Sequence, residues 1–151
     1  MRTEGDSGVR VDVPASETVL STVAEAMVRY PKVLPVDATV RQVLAVFEDD
    51  HVHMVLLTRD RLLCGTVVRG DVPNTASDAQ QAVCFAHLTG RTVPATAPAD
   101  AVLQWLVARQ QRRLAVVDDG GLLMGLLCLK AQGPGFCSDE DVTARAHGRG
   151  Y

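Results

Sequence analysis

Histidines and carboxylates lie close together at one place in this sequence. His51 and His53 are two positions apart and follow the acidic pair Asp49-Asp50. Two imidazoles with a nearby carboxylate are the ligand types that hold divalent zinc. The other two histidines belong to different segments, so a third ligand of suitable spacing is missing from this pattern. We therefore expect solvated histidines at the polar end of a helix and no metal site.

The other reactive side chains do not form a catalytic pattern. Cys84 and His87 are three positions apart on a predicted helix, which is typical of structural residues. Asp118-Asp119 lie in a predicted turn, where neighbouring carboxylates do not converge on one substrate. Glycine-rich phosphate loops, GxSxG elbows and HExxH motifs do not occur in a fitting context. The sequence thus predicts a protein that is not an enzyme.

The composition favours one compact domain that binds no nucleic acid. The chain has 151 residues, 47% of them apolar, which is enough to build one core. Its 15 basic and 18 acidic residues are intermixed and give a net charge of −3, without the clustered basic face that phosphate backbones require. Aromatic residues make up only 4%, too few for a base-stacking surface.

The cysteines and the hydropathy indicate a cytoplasmic chain that binds no membrane. The four cysteines form no CxxC pair, as expected of a reduced, cytosolic protein. No apolar run approaches the roughly 18 residues of a spanning helix. The first ten residues, MRTEGDSGVR, are polar where a signal peptide would be apolar.

An internal repeat defines the predicted organisation. Leu62-Leu63-Cys64-Gly65 recurs 60 residues later as Leu122-Leu123-Met124-Gly125. Repeated units of this kind form one supersecondary structure each and bury their surface against one another. The predicted limits are a flexible tail at 1–17, repeat 1 at 18–75, repeat 2 at 76–131 and a C-terminal tail at 132–151.

Repeat 1 predicts an extended segment, a helix and a hairpin. Residues 33–35 form the extended segment, and Asp37 is the expected N-cap of the helix. Residues 54–57 and 62–68 are apolar strands, and Gly65 interrupts the second where another backbone approaches closely. The apolar face of the helix follows the i, i+3, i+4, i+7 spacing through Val40, Val43, Leu44 and Phe47.

Repeat 2 predicts the same order of elements. Its strands are residues 114–117 and 122–129, joined by the turn Asp118-Asp119-Gly120-Gly121. Strands this apolar need cover on both faces, which helices and the other copy would supply. Short leading helices are expected before each repeat, at 19–27 and after Ser77. The apolar helix residues are Val102, Leu103, Leu106 and Val107.

Together these landmarks resemble a tandem pair of CBS domains, also called a Bateman module. The first copy resembles the family through Val23–Met27, Val36–Val40 and Leu63–Asp71. The second copy does so through Pro98–Val102, Arg113–Asp118 and Leu122–Gly125, and the resemblance covers about Leu20 to Ala131. It implies a mixed α/β (α+β) fold in which two β-α-β-β repeats pack as a pseudo-twofold pair.

The resemblance also implies a function. Free-standing CBS pairs are regulatory modules that bind AMP, ATP or S-adenosylmethionine between the two copies. They form homodimers and act on a regulated protein partner, which the sequence does not identify. The alternative is a degenerate pair that serves as a protein-interaction scaffold and binds no nucleotide.

The resemblance further implies which residues would hold the ligand. In the family signature a glycine is followed three residues later by Ser or Thr, which helps to hold phosphate, and six residues later by Asp or Asn, which accepts the ribose hydroxyls. Repeat 1 matches at Gly65 and Asp71 but has Val68 at the hydroxyl position, and Thr66 is the nearest hydroxyl. Repeat 2 keeps its glycine but has Cys128 and Ala131 in place of the two polar residues.

Four more residues complete the predicted site. Arg69 would supply a cation for an anionic ligand, and Val33, Leu34 and Pro35 match the segment that contacts adenine in the family. Each also has a structural interpretation. Asp71 would cap a helix or lie in solvent, Arg69 would be a solvated surface group, and residues 33–35 would belong to the core.

Overall fold

The structure is a computed structural model that describes residues 21–130 and 135–137. The predicted tail at 1–17 lies outside this range, as does most of the tail at 132–151. The described chain forms two successive β-α-β-β units, each preceded by a single helical turn. The elements of the first unit are α1 (Val23–Ala26), β1 (Val33–Pro35), α2 (Val40–Val46), β2 (Met54–Arg59) and β3 (Leu62–Val68). Those of the second are a 3-10 helix (Ala82–Phe85), β4 (Thr92–Pro94), α3 (Ala99–Arg109), β5 (Arg113–Val117) and β6 (Leu123–Cys128).

Each unit forms its own three-stranded sheet, in the orders β1-β2-β3 and β4-β5-β6. The first two strands of each sheet are parallel and are joined through the helix, and the last two form an antiparallel hairpin. The observed limits of β1 and β3 match the prediction. Strand β6 is one residue shorter at each end than expected. The predicted mixed fold of two β-α-β-β repeats is thus confirmed.

Helix α2 begins at a different cap from the one predicted. The prediction that Asp37 is the N-cap is wrong. Thr39 caps the helix in a reciprocal capping box. The Gln42 N–H donates to Thr39 Oγ1 at 3.2 Å, and the Thr39 N–H donates to Gln42 Oε1 at 2.8 Å. A hydroxyl with a glutamine three residues later satisfies two free N–H groups, which a lone carboxylate at position 37 could not do.

The helices bury narrower apolar faces than the sequence pattern indicated. Val40, Val43 and Phe47 are buried as expected, but Leu44 on the same predicted face is 43% exposed. In α3, Val107 is 60% exposed. No helix within residues 21–130 and 135–137 is long and apolar enough to cross a membrane.

Both faces of each sheet are covered, as the continuous apolar strands predicted. Alternate residues of β2 face opposite ways, as strand geometry requires. Val55 and Leu57 pack in one cluster with Val43 and Phe47 of the α2 side. Met54 and Leu56 face the second sheet, where they belong to a cluster with Ala115 and Leu126. The core is therefore layered, and the central layer exists only when both repeats are present.

The two leading segments, one containing α1 and the other the 3-10 helix, are exchanged between the repeats: each packs on the repeat that it does not precede. Val23 of α1 lies in the core of repeat 2, where its N–H donates to Ala97 O at 2.9 Å. Val28 pairs with Leu126 of β6 through two backbone hydrogen bonds of 2.7 and 2.9 Å. The arrangement is reciprocal, because the 3-10 helix before repeat 2 packs on repeat 1, where His87 pairs in the same way with Thr66. Each repeat is thus completed by chain that precedes the other.

Glycines in β3 and β6 permit this exchange. A Cβ on Gly65 would lie 2.5 Å from Ala86 Cβ, so the predicted close approach of another segment is confirmed there. At Gly125 a Cβ would lie 2.5 Å from Val28 O. Any side chain at either position would force the leading segment to shift.

We expect Gly125→Ala to destabilise the protein by about 1–3 kcal/mol, the usual cost of overpacking a filled site. The added methyl would meet Val28 O at 2.5 Å and Met27 Sδ at 2.7 Å, and a backbone atom cannot move aside cheaply. Gly120→Ala is the matched control, because its nearest neighbour, Asp118 Oδ1, is 3.5 Å away. Urea unfolding measures both variants, and equal midpoints would contradict the close approach.

Candidate functional site

A cavity of about 480 Å³ opens between the two repeats. Repeat 1 contributes the start of β2 and the end of β3. Repeat 2 contributes the segment before β4 and the loop that leads from α3 into β5. Neither repeat encloses the space alone. The lining residues are His53, Met54, Val68, Arg69, Thr89, Gly90, Arg91, Arg109, Gln110, Gln111, Arg112 and Arg113.

The cavity is strongly cationic. Five of its lining residues are arginines. Among the residues that the structure describes, no lining residue is acidic. The effect is visible at His53, whose pKa is lowered to about 4 by partial burial and then by the charges of Arg113, Arg69 and Arg112. A proton on this imidazole would add one more positive charge to the group. The cavity therefore favours an anionic occupant.

Asp71 lies at the rim of the cavity and binds Arg91 from the other repeat. The guanidinium donates to both carboxylate oxygens, from Nη1 at 2.5 Å and from Nη2 at 3.1 Å. The Val68 N–H also donates to Asp71 Oδ2 at 2.8 Å. Partial burial alone would raise the pKa of Asp71, but the hydrogen bonds from Arg91 and Val68 lower it below its ordinary value. The carboxylate is thus ionised and ties repeat 1 to repeat 2.

Arg69 and Arg112 are held by main-chain carbonyls at the two sides of the cavity. Arg69 Nη2 donates to Asp49 O and Val52 O, each at 2.8 Å, and its Cζ lies 5.0 Å from the centre of the Phe47 ring. Arg112 Nη2 donates to Leu129 O at 2.8 Å. The Nε of Arg112 is buried without a hydrogen-bond partner among the described residues. Both guanidinium groups are pre-positioned, and both still line the cavity.

The segment predicted to contact adenine lies away from Asp71. Residues 33–35 form β1, which pairs with Leu56, Leu57 and Thr58 of β2. Asp71 follows β3, at the opposite edge of the same sheet. Asp71 is instead contacted by Arg91, which lies in the segment 89–91 that precedes β4 just as 30–32 precede β1. The exchange between repeats places this segment of repeat 2 beside the end of β3.

Two further predicted residues hold the fold at this point. Thr66 is fully buried, and its Oγ1 donates to His87 O at 2.6 Å, so its hydroxyl is committed to the leading segment. Gly65 lies against Ala86. In repeat 2, Cys128 is buried, and Ala131 lies outside the described residues. Of the predicted set, Arg69 lines the cavity and Asp71 borders it.

The two histidines of the predicted pair lie in different surroundings. The His51 N–H donates to Asp49 Oδ1 at 2.9 Å, whereas His53 lines the cavity. Within the described segments, no group of three or more His, Cys, Asp or Glu side chains could hold a metal ion.

Four cavity arginines were missed at the level of sequence. Three of them lie in the tract Arg109-Gln110-Gln111-Arg112-Arg113, directly after the apolar pattern of α3 ends. This short basic run was the available signal. The fourth, Arg91, stands alone in the sequence, and its partner is 20 residues away. No local pattern relates two residues that meet only through the exchange of segments.

Solved structures of CBS-domain proteins share this architecture. A CBS domain protein from Pyrobaculum aerophilum, complexed with AMP, has a TM-score of 0.60 and 24% sequence identity, covering 72% of this chain and 87% of that one. A CBS domain pair/ACT domain protein from Thermotoga maritima has a TM-score of 0.62 and 19% identity, covering 72% and 90%. The cytosolic domain of the Mg²⁺ channel MgtE, in complex with ATP, has a TM-score of 0.60 and 16% identity, covering 71% and 45%.

Sequence comparison adds no closer relationship. No protein-family model matches the chain, and no curated protein is significantly similar to it. The structural likeness extends over about seven tenths of the chain. Two repeats that complete one another in this way, and that superpose on solved pairs, establish that this chain has the fold of a CBS-domain pair.

Proposed function

We propose that this chain is a regulatory CBS pair that binds a phosphorylated adenosine ligand in the cationic cavity beside Asp71, and that it catalyses no reaction. The observation that carries the proposal is the cluster of five arginines lining one space between the repeats. Because both repeats supply the lining, an occupant that binds one relative position of the repeats more tightly shifts the population toward it. Such a shift is the basis of a regulatory output.

The chemistry of the cavity favours nucleotides that carry phosphate over S-adenosylmethionine. Guanidinium groups match phosphate oxygens in paired hydrogen bonds, and a cavity of about 480 Å³ has the volume of a typical small-molecule site. S-adenosylmethionine carries a sulfonium cation, which this positive field repels. The solved pairs whose ligands are AMP and ATP support the same choice. A nucleotide with two or three phosphates can contact more of the five arginines than AMP can.

Asp71 and Arg91 would exchange partners when such a ligand binds. In the ion pair each group satisfies the other, with side-chain exposures of only 12% and 20%. Ribose hydroxyls can donate to the Asp71 carboxylate, and a phosphate can accept from Arg91. The ligand thus replaces one contact between the repeats with two contacts to itself. Because Val68 has no hydroxyl, the ligand would lose one hydrogen bond to its phosphate. Hydrogen bonds from the arginines would replace it.

We infer that the cavity on the repeat 1 side is the ligand site and that the repeat 2 side takes no nucleotide. Cys128, at the position of the signature hydroxyl, is buried. Phe136 and Cys137 pair with Leu129 and Cys128 along the end of β6, where a ligand would have to approach. This half of the molecule fits the alternative function, a protein-interaction scaffold. The homodimer, the regulated partner and the cytoplasmic location stay predictions.

Titration calorimetry tests the ligand class directly. We expect heat on adding ATP or ADP, weaker binding of AMP and none of S-adenosylmethionine, because affinity follows the number of phosphates. Binding should weaken as salt rises, since the contacts are between charges. Asp71→Ala should weaken ATP binding by about 10-fold or more, the effect of losing hydrogen bonds to a charged group. Arg109→Gln should weaken it less, because this guanidinium stacks 4.7 Å from the centre of the Trp105 ring at the surface.

Arg59→Gln is the matched control, because Arg59 is exposed at the far end of β2 from the cavity. Its ATP affinity should equal that of the natural protein. Absence of heat with millimolar ATP and folded protein would overturn the proposal. So would tighter binding of S-adenosylmethionine than of ATP, or unchanged affinity after Asp71→Ala.

The pKa of His53, which is lowered by partial burial and then by the cavity arginines, provides a test that does not depend on binding heat. Its pKa of about 4 lies below the ordinary value of 6.5, so the unfolded chain binds more protons between these two pH values. Stability contributed by neutral His53 is therefore present above about pH 6.5 and is lost as the pH falls toward 4. We expect His53→Gln to reduce this pH dependence in urea unfolding.

A bound anion should change the same group in the opposite direction. ATP in the cavity would offset the arginine charges, so we expect it to raise the pKa of His53 in an NMR titration of the imidazole signals. A His53 signal that does not respond to saturating ATP would place the nucleotide elsewhere.

A further inference from the structure

We propose that Cys128 and Cys137 form an oxidation-dependent disulfide that fastens the segment 135–137 to β6. Their Sγ atoms are 3.3 Å apart, and both residues are buried, each 4% exposed. Neither thiol lines the cationic cavity. The pair is therefore a modification site separate from the proposed ligand site.

The backbone already holds the two cysteines in register. The Cys137 N–H donates to Cys128 O at 2.7 Å, and Leu129 pairs with Phe136 in an antiparallel bridge. Residues opposite one another in an antiparallel ladder have Cα atoms about 4.5–5.5 Å apart, within the range of about 4.4–6.8 Å that disulfides span. The sulfurs need to approach by only about 1.3 Å to reach a bond length of about 2.0 Å. Closing the bond thus requires side-chain rotation and no new backbone path.

The remaining cysteines are placed differently. Cys84 is exposed, and Cys64 is partly buried, with its thiol 3.5 Å from Leu62 O. Cys128 and Cys137 instead share a small apolar cluster with Val28. A disulfide has no S–H donor to satisfy, so this apolar cluster can accommodate the oxidised form. None of these four cysteines is disulfide-bonded in the structure.

Hydrogen peroxide is an oxidant that balances the reaction. One thiolate attacks a peroxide oxygen, which gives a sulfenic acid and releases water once the leaving hydroxide is protonated. The second sulfur then attacks the sulfenic sulfur, so that an S–S bond forms, the S–O bond breaks and a second water leaves. The two thiols lose two electrons and two protons, and the peroxide is reduced to water.

The bond would close a loop across residues 128–137. In repeat 1 the equivalent strand end is occupied by the Asp71 carboxylate, which accepts from the Val68 N–H. In repeat 2 the same position on β6 is occupied by residues 136 and 137. Oxidation would link Cys137 covalently to Cys128 of β6. The end of β6 would then stay covered by this segment.

Tryptic cleavage after Lys130 tests the proposal, because this exposed residue lies inside the loop that the disulfide would close. After peroxide treatment of the full chain, the thiol count should fall from four to two. The tryptic peptide that contains Cys137 should stay attached to the peptide of β6 without reductant and separate once reductant is added. In the reduced protein the two peptides should separate at once.

The variants Cys137→Ser and Cys128→Ser should each abolish the linked peptide, and Cys84→Ser should leave it unchanged. The natural protein alone suffices if a variant fails to fold, because peptide mapping identifies its linked residues. Four thiols that survive peroxide would overturn the proposal, as would linkage through Cys64 or Cys84 or links between chains only.

Discussion

The fold depends on one close contact, used twice: each leading segment lies directly on the outer strand of the opposite repeat, at a glycine that carries no side chain of its own. Two backbone hydrogen bonds join Val28 to Leu126, and two join His87 to Thr66. Only glycine at 125 and 65 leaves room for this approach. Because each repeat lacks part of its own cover, neither can bury its sheet alone. The pair is thus one cooperative unit, and the central apolar layer follows from it.

The cationic cavity is a consequence of that contact. Once His87 is paired with Thr66, the chain turns into β4 beside the end of β3, which brings Arg91 onto Asp71. The loop after α3 approaches from the other side with its basic tract. Five positive charges would repel one another in an isolated site. Carbonyl oxygens, two aromatic faces and one carboxylate hold several of them in place, so the positive field is a property of the folded chain itself.

The two halves of the molecule have the same architecture but different chemistry. At the end of β3 an ionised carboxylate takes the free N–H of Val68 and faces a polar cavity. At the end of β6 the equivalent place is taken by Phe136 and Cys137, within apolar surroundings. Duplication supplies one geometry twice, and the residues at the strand ends decide what each copy can do. One side has a cavity lined by arginines, and the other has two buried cysteines.

By itself the sequence determined the order of elements, the limits of β1 and β3, and the need for both sheet faces to be covered. These properties are local, because the period of apolar residues and the turn residues act over a few positions. Gly65 was also readable, since a glycine within an apolar strand indicates a close backbone.

Only the tertiary structure decided which residues form the site. Asp37 yielded the helix cap to Thr39 because a reciprocal pair of hydrogen bonds satisfies more of the helix end. Residues 33–35 and Asp71 were expected together, yet the order β1-β2-β3 sets them at opposite edges. Arg91 and Asp71 meet because segments are exchanged between repeats, and an interaction across such an exchange leaves no period or spacing in the chain.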